Sequence, residues 1–134
     1  MVSPAPGVRH QRASFRLHVI LDAAADAPVE ALEAINVTLP SGLVVPDLVV
    51  TDAAATAEDT VSVDADAVQL MVELVSPGNK TMDRKFKPLR YAEAAIPHFW
   101  RLEFDPAPRL IVSELHVGRY VESTTALASR APPR

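Results

Sequence analysis

The spacing of apolar residues along the first part of the chain predicts a helix followed by a hairpin. From His10 to Ala25 the apolar positions recur every three or four residues, which is the repeat of an amphipathic helix. Pro28 ends or restarts this helix, and the apolar segment Ile35–Leu39 predicts a strand. The turn residues Pro40-Ser41-Gly42 follow directly, so we expect the chain to reverse there into the next strand.

Two long apolar segments each contain one acidic residue. Leu43 to Thr51 is apolar at both alternating sets of positions, as in a buried strand, and Asp47 interrupts it. Because Pro46 cannot donate a hydrogen bond to a sheet, we expect an edge or a bulge beside Asp47. Val68 to Val75 predicts a second buried strand, in which Glu73 lies between apolar neighbours.

The rest of the chain predicts an exposed acidic loop, a helix and a terminal antiparallel hairpin. The loop spans Asp52 to Asp66. The helix extends from about Asp83 to Ala95, with Asp83 or Thr81 as its N-cap, although Pro88 also suits a later start at Pro88 itself. The predicted strands are His98–Phe104, Arg109–Leu115 and Arg119–Val121, the last two joined by a tight turn at Val117-Gly118.

This order of elements predicts a mixed α/β fold, in which helices flank a mixed sheet. The 134 residues fit one domain, which we place at residues 1–122. Residues 123–134 are small, polar and rich in proline, so we expect a disordered tail.

Charge and composition narrow the class of protein. Thirteen basic and seventeen acidic residues give a net charge of -4, so any contact with nucleic acid must be local. The sequence contains no uninterrupted stretch of 18 apolar residues, the length that could span a membrane. The absence of cysteine and of a secretory signal favours a cytoplasmic location. The densest basic cluster follows the Glu73 strand and could equally be a solvated helix face: Lys80, Arg84, Lys85, Lys87 and Arg90.

The two acidic residues in apolar strands are the strongest candidates for chemistry. A buried ionised carboxylate is costly unless a counter-charge or a metal compensates it. A shared Mg²⁺ ion would stabilise both Asp47 and Glu73, since it takes oxygen ligands and keeps several waters. From spacing alone, however, a structural role is favoured, in which Asp47 shapes a turn and Glu73 pairs with a basic core residue.

A helix-spaced set adds to these candidates. Asp83, Lys87 and Tyr91 are four positions apart and share one helix face if the helix begins by Asp83. The alternative is an intrahelical ion pair beside a packed tyrosine. The four histidines lack metal-ligand spacing, and Ser76 lacks the glycines of a nucleophile elbow.

Three segments together resemble a known family. They are VELVSPGNKTMDRKFKPLRYAEAAIPHFWRLEFD, the upstream VVPDLVVTD and the initial SPAPGVRHQ. In this order, over roughly Ser3 to Val121, they resemble the Uma-type restriction endonuclease family of the PD-(D/E)XK nuclease superfamily. The resemblance implies a restriction-endonuclease-like core that binds Mg²⁺ or a similar ion such as Mn²⁺.

The resemblance also implies roles for individual residues. Asp47 matches the aspartate of the P-D motif and Glu73 the acid of the second motif. Val75 stands where the superfamily usually has its lysine, and Lys87 resembles a relocated replacement that orients water or stabilises charge on the phosphate. Supporting positions matched by the motifs are Ser76, Asp83 and Tyr91.

The chain departs from the family pattern in three places. Members usually begin with a further segment carrying a Y-E-L-x-D-G-like strand pair, so we expect a relative shortened at its N-terminus. The C-terminal part leaves the pattern after Glu122, where another strand is usual. Ala95 replaces the usual glycine before Ile96-Pro97.

The leading hypothesis is a cytoplasmic Mg²⁺-dependent endonuclease, with DNA as the favoured substrate. It requires Asp47 and Glu73 to lie within about 8 Å of each other and the Lys87 amine to point toward them. The alternative is a catalytically inactive nuclease-fold protein that binds nucleic acid or forms a homo-oligomer such as a dimer, since uncovered sheet edges invite pairing. A phosphatase or another metal hydrolase could use the same carboxylates.

Overall fold

The computed structural model describes residues 7–26, 28–75 and 85–126. The helices and strands of this part of the chain are α1 Val8–Ala24, β1 Val29–Glu33, β2 Asn36–Leu39, β3 Gly42–Val44, β4 Leu48–Asp52, β5 Ser62–Asp64, β6 Val68–Leu74, α2 Lys87–Glu93, β7 His98–Glu103, β8 Arg109–His116 and β9 Arg119–Ala126.

Two mixed sheets form the architecture. The larger sheet has the strand order β1-β4-β6-β7-β8-β9, in which only β6 and β7 are parallel neighbours. The smaller sheet has the order β3-β2-β5, with β2 antiparallel to β3 and parallel to β5. The parallel β6–β7 pair requires a crossover, and α2 lies within that connection.

The larger sheet is covered on both faces. Helix α1 packs on one face, where Leu21 and the partly buried Leu17 join a cluster with residues of β4 and β6. On the other face α2 and the smaller sheet pack together, through Tyr91 and Val37 among others. This arrangement confirms the predicted mixed α/β fold with helices flanking a sheet.

The predicted strand Leu43–Thr51 is in fact two strands in two sheets. β3 pairs with β2 in the smaller sheet, whereas β4 lies between β1 and β6 in the larger one. Pro46 is fully buried between the two strands, where its missing N–H removes no ladder hydrogen bond. The interruption expected beside Asp47 is confirmed, but it is a change of sheet rather than an edge or bulge.

Two further differences concern short elements. The sequence pattern missed β1, because this edge strand buries only Ala31 and shows weak alternation. The segment predicted as an exposed loop contains β5 and two 3-10 turns at Ala53–Ala55 and Ala65–Ala67. Val63 in β5 is 2% exposed, so this segment contributes to the core.

The last strand is longer than the sequence pattern predicts. β9 continues to Ala126, which pairs with Arg109 at the far end of β8. The prediction of a disordered tail from residue 123 is therefore wrong for residues 123–126, and residues 127–134 lie outside the described part of the chain. Small polar residues complete the strand here because the neighbouring β8 offers backbone partners along its whole length.

The α-helical element α2 spans Lys87–Glu93, with Pro88 in its first turn, where the proline ring fits and no N–H is needed. The two described residues before it, Lys85 and Phe86, have π-helical geometry, so the start predicted near Asp83 stays a prediction. The predicted N-cap residues Asp83 and Thr81 lie outside the described residues. Neither helix in the described ranges is long and apolar enough to cross a membrane.

Candidate active site

Asp47 and Glu73 lie at the same end of the β4–β6 pair. These strands are antiparallel with Leu48 opposite Val72, so one step further along the register brings Asp47 beside Glu73. The Leu74 backbone N–H donates to Asp47 Oδ2 at 2.7 Å. The two acids, 26 positions apart in the sequence, therefore occupy adjacent strand ends.

Glu73 is buried, and two side chains of α2 hold its carboxylate. Its side chain is 4% exposed. The Tyr91 hydroxyl donates to Oε1 at 2.7 Å, and the Lys87 Nζ lies 3.2 Å from Oε2. Lys87 and Tyr91 are four positions apart, so they leave the same face of the helix, as the sequence spacing predicts.

Lys87 lies between the buried Glu73 carboxylate and solvent. Its side chain is 25% exposed, in contrast to that of Glu73. The ammonium supplies a counter-charge that a buried carboxylate needs. Because the amine remains partly accessible, it can also meet an anion that approaches from outside.

Asp47 makes a second contact that sequence reasoning did not anticipate. His10 Nε2 lies 3.2 Å from Asp47 Oδ1, with side-chain exposures of 21% and 25%. His10 belongs to α1, which packs on the sheet face opposite to α2. The spacing of the histidines does not indicate this contact. His10 nevertheless lies in the SPAPGVRHQ segment, which carries part of the family resemblance.

A second, largely buried charge network lies beside the site on the same sheet. Arg101 is the register partner of Glu73 on β7, and its side chain is 7% exposed. It contacts Glu103 at 3.4 Å and Glu122 at 2.9 Å, and Arg109 reaches Glu103 at 2.7 Å. Acids and arginines alternate here, so each buried charge faces an opposite one.

The donor chemistry of Asp47 and Glu73 suits a hard divalent cation. Such ions take carboxylate oxygens as ligands, and both residues supply them. Within the described ranges no group of three or more histidine, cysteine or acidic side chains could hold a metal ion. A two-carboxylate site completed by water and phosphate fits Mg²⁺, which usually keeps several waters.

The remaining predicted residues divide into two groups. Tyr91 reaches the site and is fully buried, with its ring edge-on to Phe99 at a centroid distance of 5.1 Å. Ser76 and Asp83 lie outside the described residues. The roles assigned to Asp47, Glu73 and Lys87 stay predictions, which the proposal below develops.

Comparison with known proteins places the chain in a family. A family model with the description "Uma2: Putative restriction endonuclease" matches residues 1–132. The chain belongs to the Uma2 family. This membership confirms the resemblance drawn from the sequence motifs. Proteins of the restriction-endonuclease-like family generally use a divalent metal ion. None of the curated proteins matches this Uma2 chain.

A solved structure supports the same fold. It is described as "a putative nuclease belonging to DUF820" from Anabaena variabilis ATCC 29413. The TM-score is 0.73 at 14% sequence identity, and the match covers 100% of this chain and 76% of the other. At this identity the likeness shows the fold alone, which this Uma2 protein shares with that structure.

Proposed function

We propose that this Uma2-family protein is an Mg²⁺-dependent endonuclease that hydrolyses phosphodiester bonds of DNA. The observation that supports the proposal is that Asp47 and Glu73 lie at the same end of two adjacent strands, with the Lys87 amine 3.2 Å from Glu73. An acid with only 4% of its side chain exposed, opposite a partly exposed amine, is an arrangement suited to charge stabilisation in a reaction.

Each residue has a defined task in this proposal. Asp47 and Glu73 would hold the cation, which on binding would polarise the phosphate and neutralise part of its charge. The Lys87 amine would orient the attacking water or stabilise negative charge on the phosphate. The Tyr91 hydroxyl and the Leu74 N–H each bind one carboxylate oxygen, so they hold the two acids in fixed orientations.

The local charge around α2 favours an anionic substrate despite the net charge of -4. Lys85 is exposed just before the helix, while Lys87 and Arg90 are half-buried on it. Arg90 also donates to Ser41 Oγ at 3.1 Å, which orients its guanidinium beside the smaller sheet. A polyanion such as DNA gains affinity from neighbouring cations of this kind.

The decisive assay measures cleavage of double-stranded DNA, single-stranded DNA and RNA with Mg²⁺, with Mn²⁺ and with EDTA. We expect Asp47→Asn, Glu73→Gln and Lys87→Ala each to lower a metal-dependent rate by about 100-fold or more, since each removes preorganised charge. Asp59→Asn, in the exposed acidic loop, is the matched control and should leave the rate unchanged. Activity that survives in both the Asp47 and the Lys87 variants would overturn the assignment.

Metal binding by calorimetry separates the ligands from the amine. Asp47→Asn and Glu73→Gln should weaken Mn²⁺ binding, whereas Lys87→Ala should retain or strengthen it because a competing cation is removed. If the protein binds no divalent ion and cleaves neither nucleic acid nor p-nitrophenyl phosphate, Lys87 is a structural counter-charge and the inactive alternative holds. Cleavage of the small ester alone would identify a phosphatase.

A further inference from the structure

The outer face of α1 carries a row of exposed apolar side chains. Phe15 and Val19 are each 55% exposed, and Val8 and Ile20 are 63% and 61% exposed. Two shallow depressions flank Phe15 on this surface. The opposite side of the helix packs on the sheet through Leu17 and Leu21, and no residue of the described ranges covers the outer face.

Charges of opposite sign flank Phe15 and Val19 along the helix. At 3.6 residues per turn, Arg12, Phe15, Val19 and Asp22 fall on one stripe along the helix. All four side chains are exposed. Within the described ranges Arg12 makes no ion pair. Its neighbour one turn along the helix, at position i+4, is Arg16, whose like charge repels it. The stripe therefore changes from basic through apolar to acidic.

We propose that two copies of this chain form a dimer in which the outer faces of α1 pack antiparallel about a two-fold axis. With the axis level with residue 17, positions equally far from it face each other. Arg12 then faces the partner's Asp22, and Phe15 faces the partner's Val19. Each contact occurs twice, as two-fold symmetry requires.

The order of charges along α1 favours a second copy of the chain as the partner, in the antiparallel orientation. A parallel pairing would place Arg12 against the partner's Arg12 and Asp22 against the partner's Asp22, so both ends would repel. Nucleic acid would attract Arg12 and Arg16, but it would leave Phe15 and Val19 uncovered and would be repelled by Asp22. An antiparallel second copy is the partner that matches the apolar centre and both charged ends.

The size of the contact sets the expected affinity. A helix of 17 residues is about 25 Å long. One helix packed on another gives an interface at the small end of specific complexes, below about 1,200 Å². We therefore expect a reversible dimer with a roughly micromolar dissociation constant.

Variants with reversed charges at positions 12 and 22 test the proposal. Sedimentation velocity of the full chain, from submicromolar to several hundred micromolar protein, measures the dimer in each variant. Arg12→Asp and Asp22→Arg should each weaken the dimer by about tenfold or more, because each places like charges together twice. The double variant Arg12→Asp/Asp22→Arg restores opposite charges and should return the affinity to within about threefold of the wild type. Phe15→Ser should abolish the dimer.

Two controls protect the interpretation. Arg119→Asp makes the same change of charge at an exposed position, the first residue of β9, and should leave the dimer intact. Circular dichroism monitors folding, and Arg12→Ala and Asp22→Ala provide milder versions if a reversal disturbs the helix.

Three results would overturn the proposal. They are a monomer at every concentration, a dimer insensitive to these positions, or losses that the double variant does not restore. A monomer whose DNA affinity falls with Arg12→Asp would assign the surface to nucleic acid instead.

Discussion

At the scale of single residues, Glu73 shows how a buried charge is made tolerable. Its two oxygens contact groups of different kinds, a neutral hydroxyl from Tyr91 and a cation from Lys87. Hydrogen bonds to an ionised group are stronger than those between neutral groups, so Tyr91 contributes to stability as well as to orientation. In the proposed function, the same contacts would keep the carboxylate in place for a cation.

Tyr91→Phe tests this contribution by removing one hydroxyl from the buried site. We expect a loss of about 1.5–3 kcal/mol in the free energy of unfolding, the range for a hydrogen bond to a charged group. Tyr120→Phe is the matched control, because its hydroxyl donates to the Ile96 carbonyl, a neutral acceptor, at 2.7 Å. That change should cost about 0.5–1.5 kcal/mol. Urea denaturation measures both, and equal costs would show that Glu73 gains nothing special from Tyr91.

At the scale of elements, α2 ends in a conformation that its sequence does not favour. Ala95 has a φ of 60°, in the left-handed region that glycine adopts most easily after a helix. The Ile96 N–H then donates to the Tyr91 carbonyl at 3.1 Å, which closes the end of the helix. Alanine at this position therefore has a structural cost.

Ala95→Gly should relieve this cost. We expect a gain of roughly 0.5–1 kcal/mol in the free energy of unfolding, since the left-handed strain of an L-residue exceeds the entropy that glycine adds to the unfolded chain. Ala92→Gly makes the same substitution inside α2 and should instead cost about 0.5–1 kcal/mol. Thermal unfolding of both variants gives the comparison, and a loss at position 95 would contradict the assigned backbone conformation.

At the scale of the whole molecule, an ion pair connects the α1 layer to the edge of the larger sheet. His18 Nδ1 lies 2.6 Å from Glu33 Oε2 on β1, and the Ser14 hydroxyl donates to Glu33 Oε1 at 2.8 Å. The hydrogen bond with Glu33 raises the pKa of His18 from its ordinary 6.5. The hydrogen bond with His18 lowers the pKa of Glu33 from 4.5. The contact between layers is therefore sensitive to pH.

The pH dependence of stability follows from the signs of these two shifts. Stabilisation through His18 is complete below about pH 6.5 and is lost as the pH rises through its raised folded pKa. Stabilisation through Glu33 is complete above about pH 4.5 and is lost as the pH falls through its lowered folded pKa. Both contributions are complete only between these values.

A double-mutant cycle with His18→Gln and Glu33→Gln measures this coupling across pH. Both side chains are partly exposed, so the coupling should reach at most about 1 kcal/mol, and only between about pH 4.5 and 6.5. It should decline on either side of this window. A coupling that stays constant from pH 4 to 9 would show that the contact is not an ion pair.

Many of the helices and strands could be predicted, because each depends on the spacing of apolar residues that are close in the sequence. A nearly continuous apolar segment marks β6 as a buried strand, and the helical repeat marks α1, since each pattern depends on neighbouring residues within one element. The four-residue spacing of Lys87 and Tyr91 likewise predicts a shared helix face, which both use to reach Glu73. Family membership followed from motifs that are themselves local.

Other features required partners that are distant in the sequence. The contact of His10 with Asp47 and the pairing of Arg101 with Glu122 both join separate elements, and no spacing indicates them. The length of β9 depends on the backbone groups of β8 rather than on its own polar residues.

By itself, the sequence determined the helices and most strands, the mixed α/β class, the family, and the presence of two acids within apolar segments. Only the tertiary structure decided that β3 and β4 belong to different sheets, that Asp47 binds the Leu74 amide, and that His10 approaches from the opposite face. The physical reason is that periodicity directs a side chain relative to its own backbone. Which group it meets depends instead on how the strands pair and the layers pack.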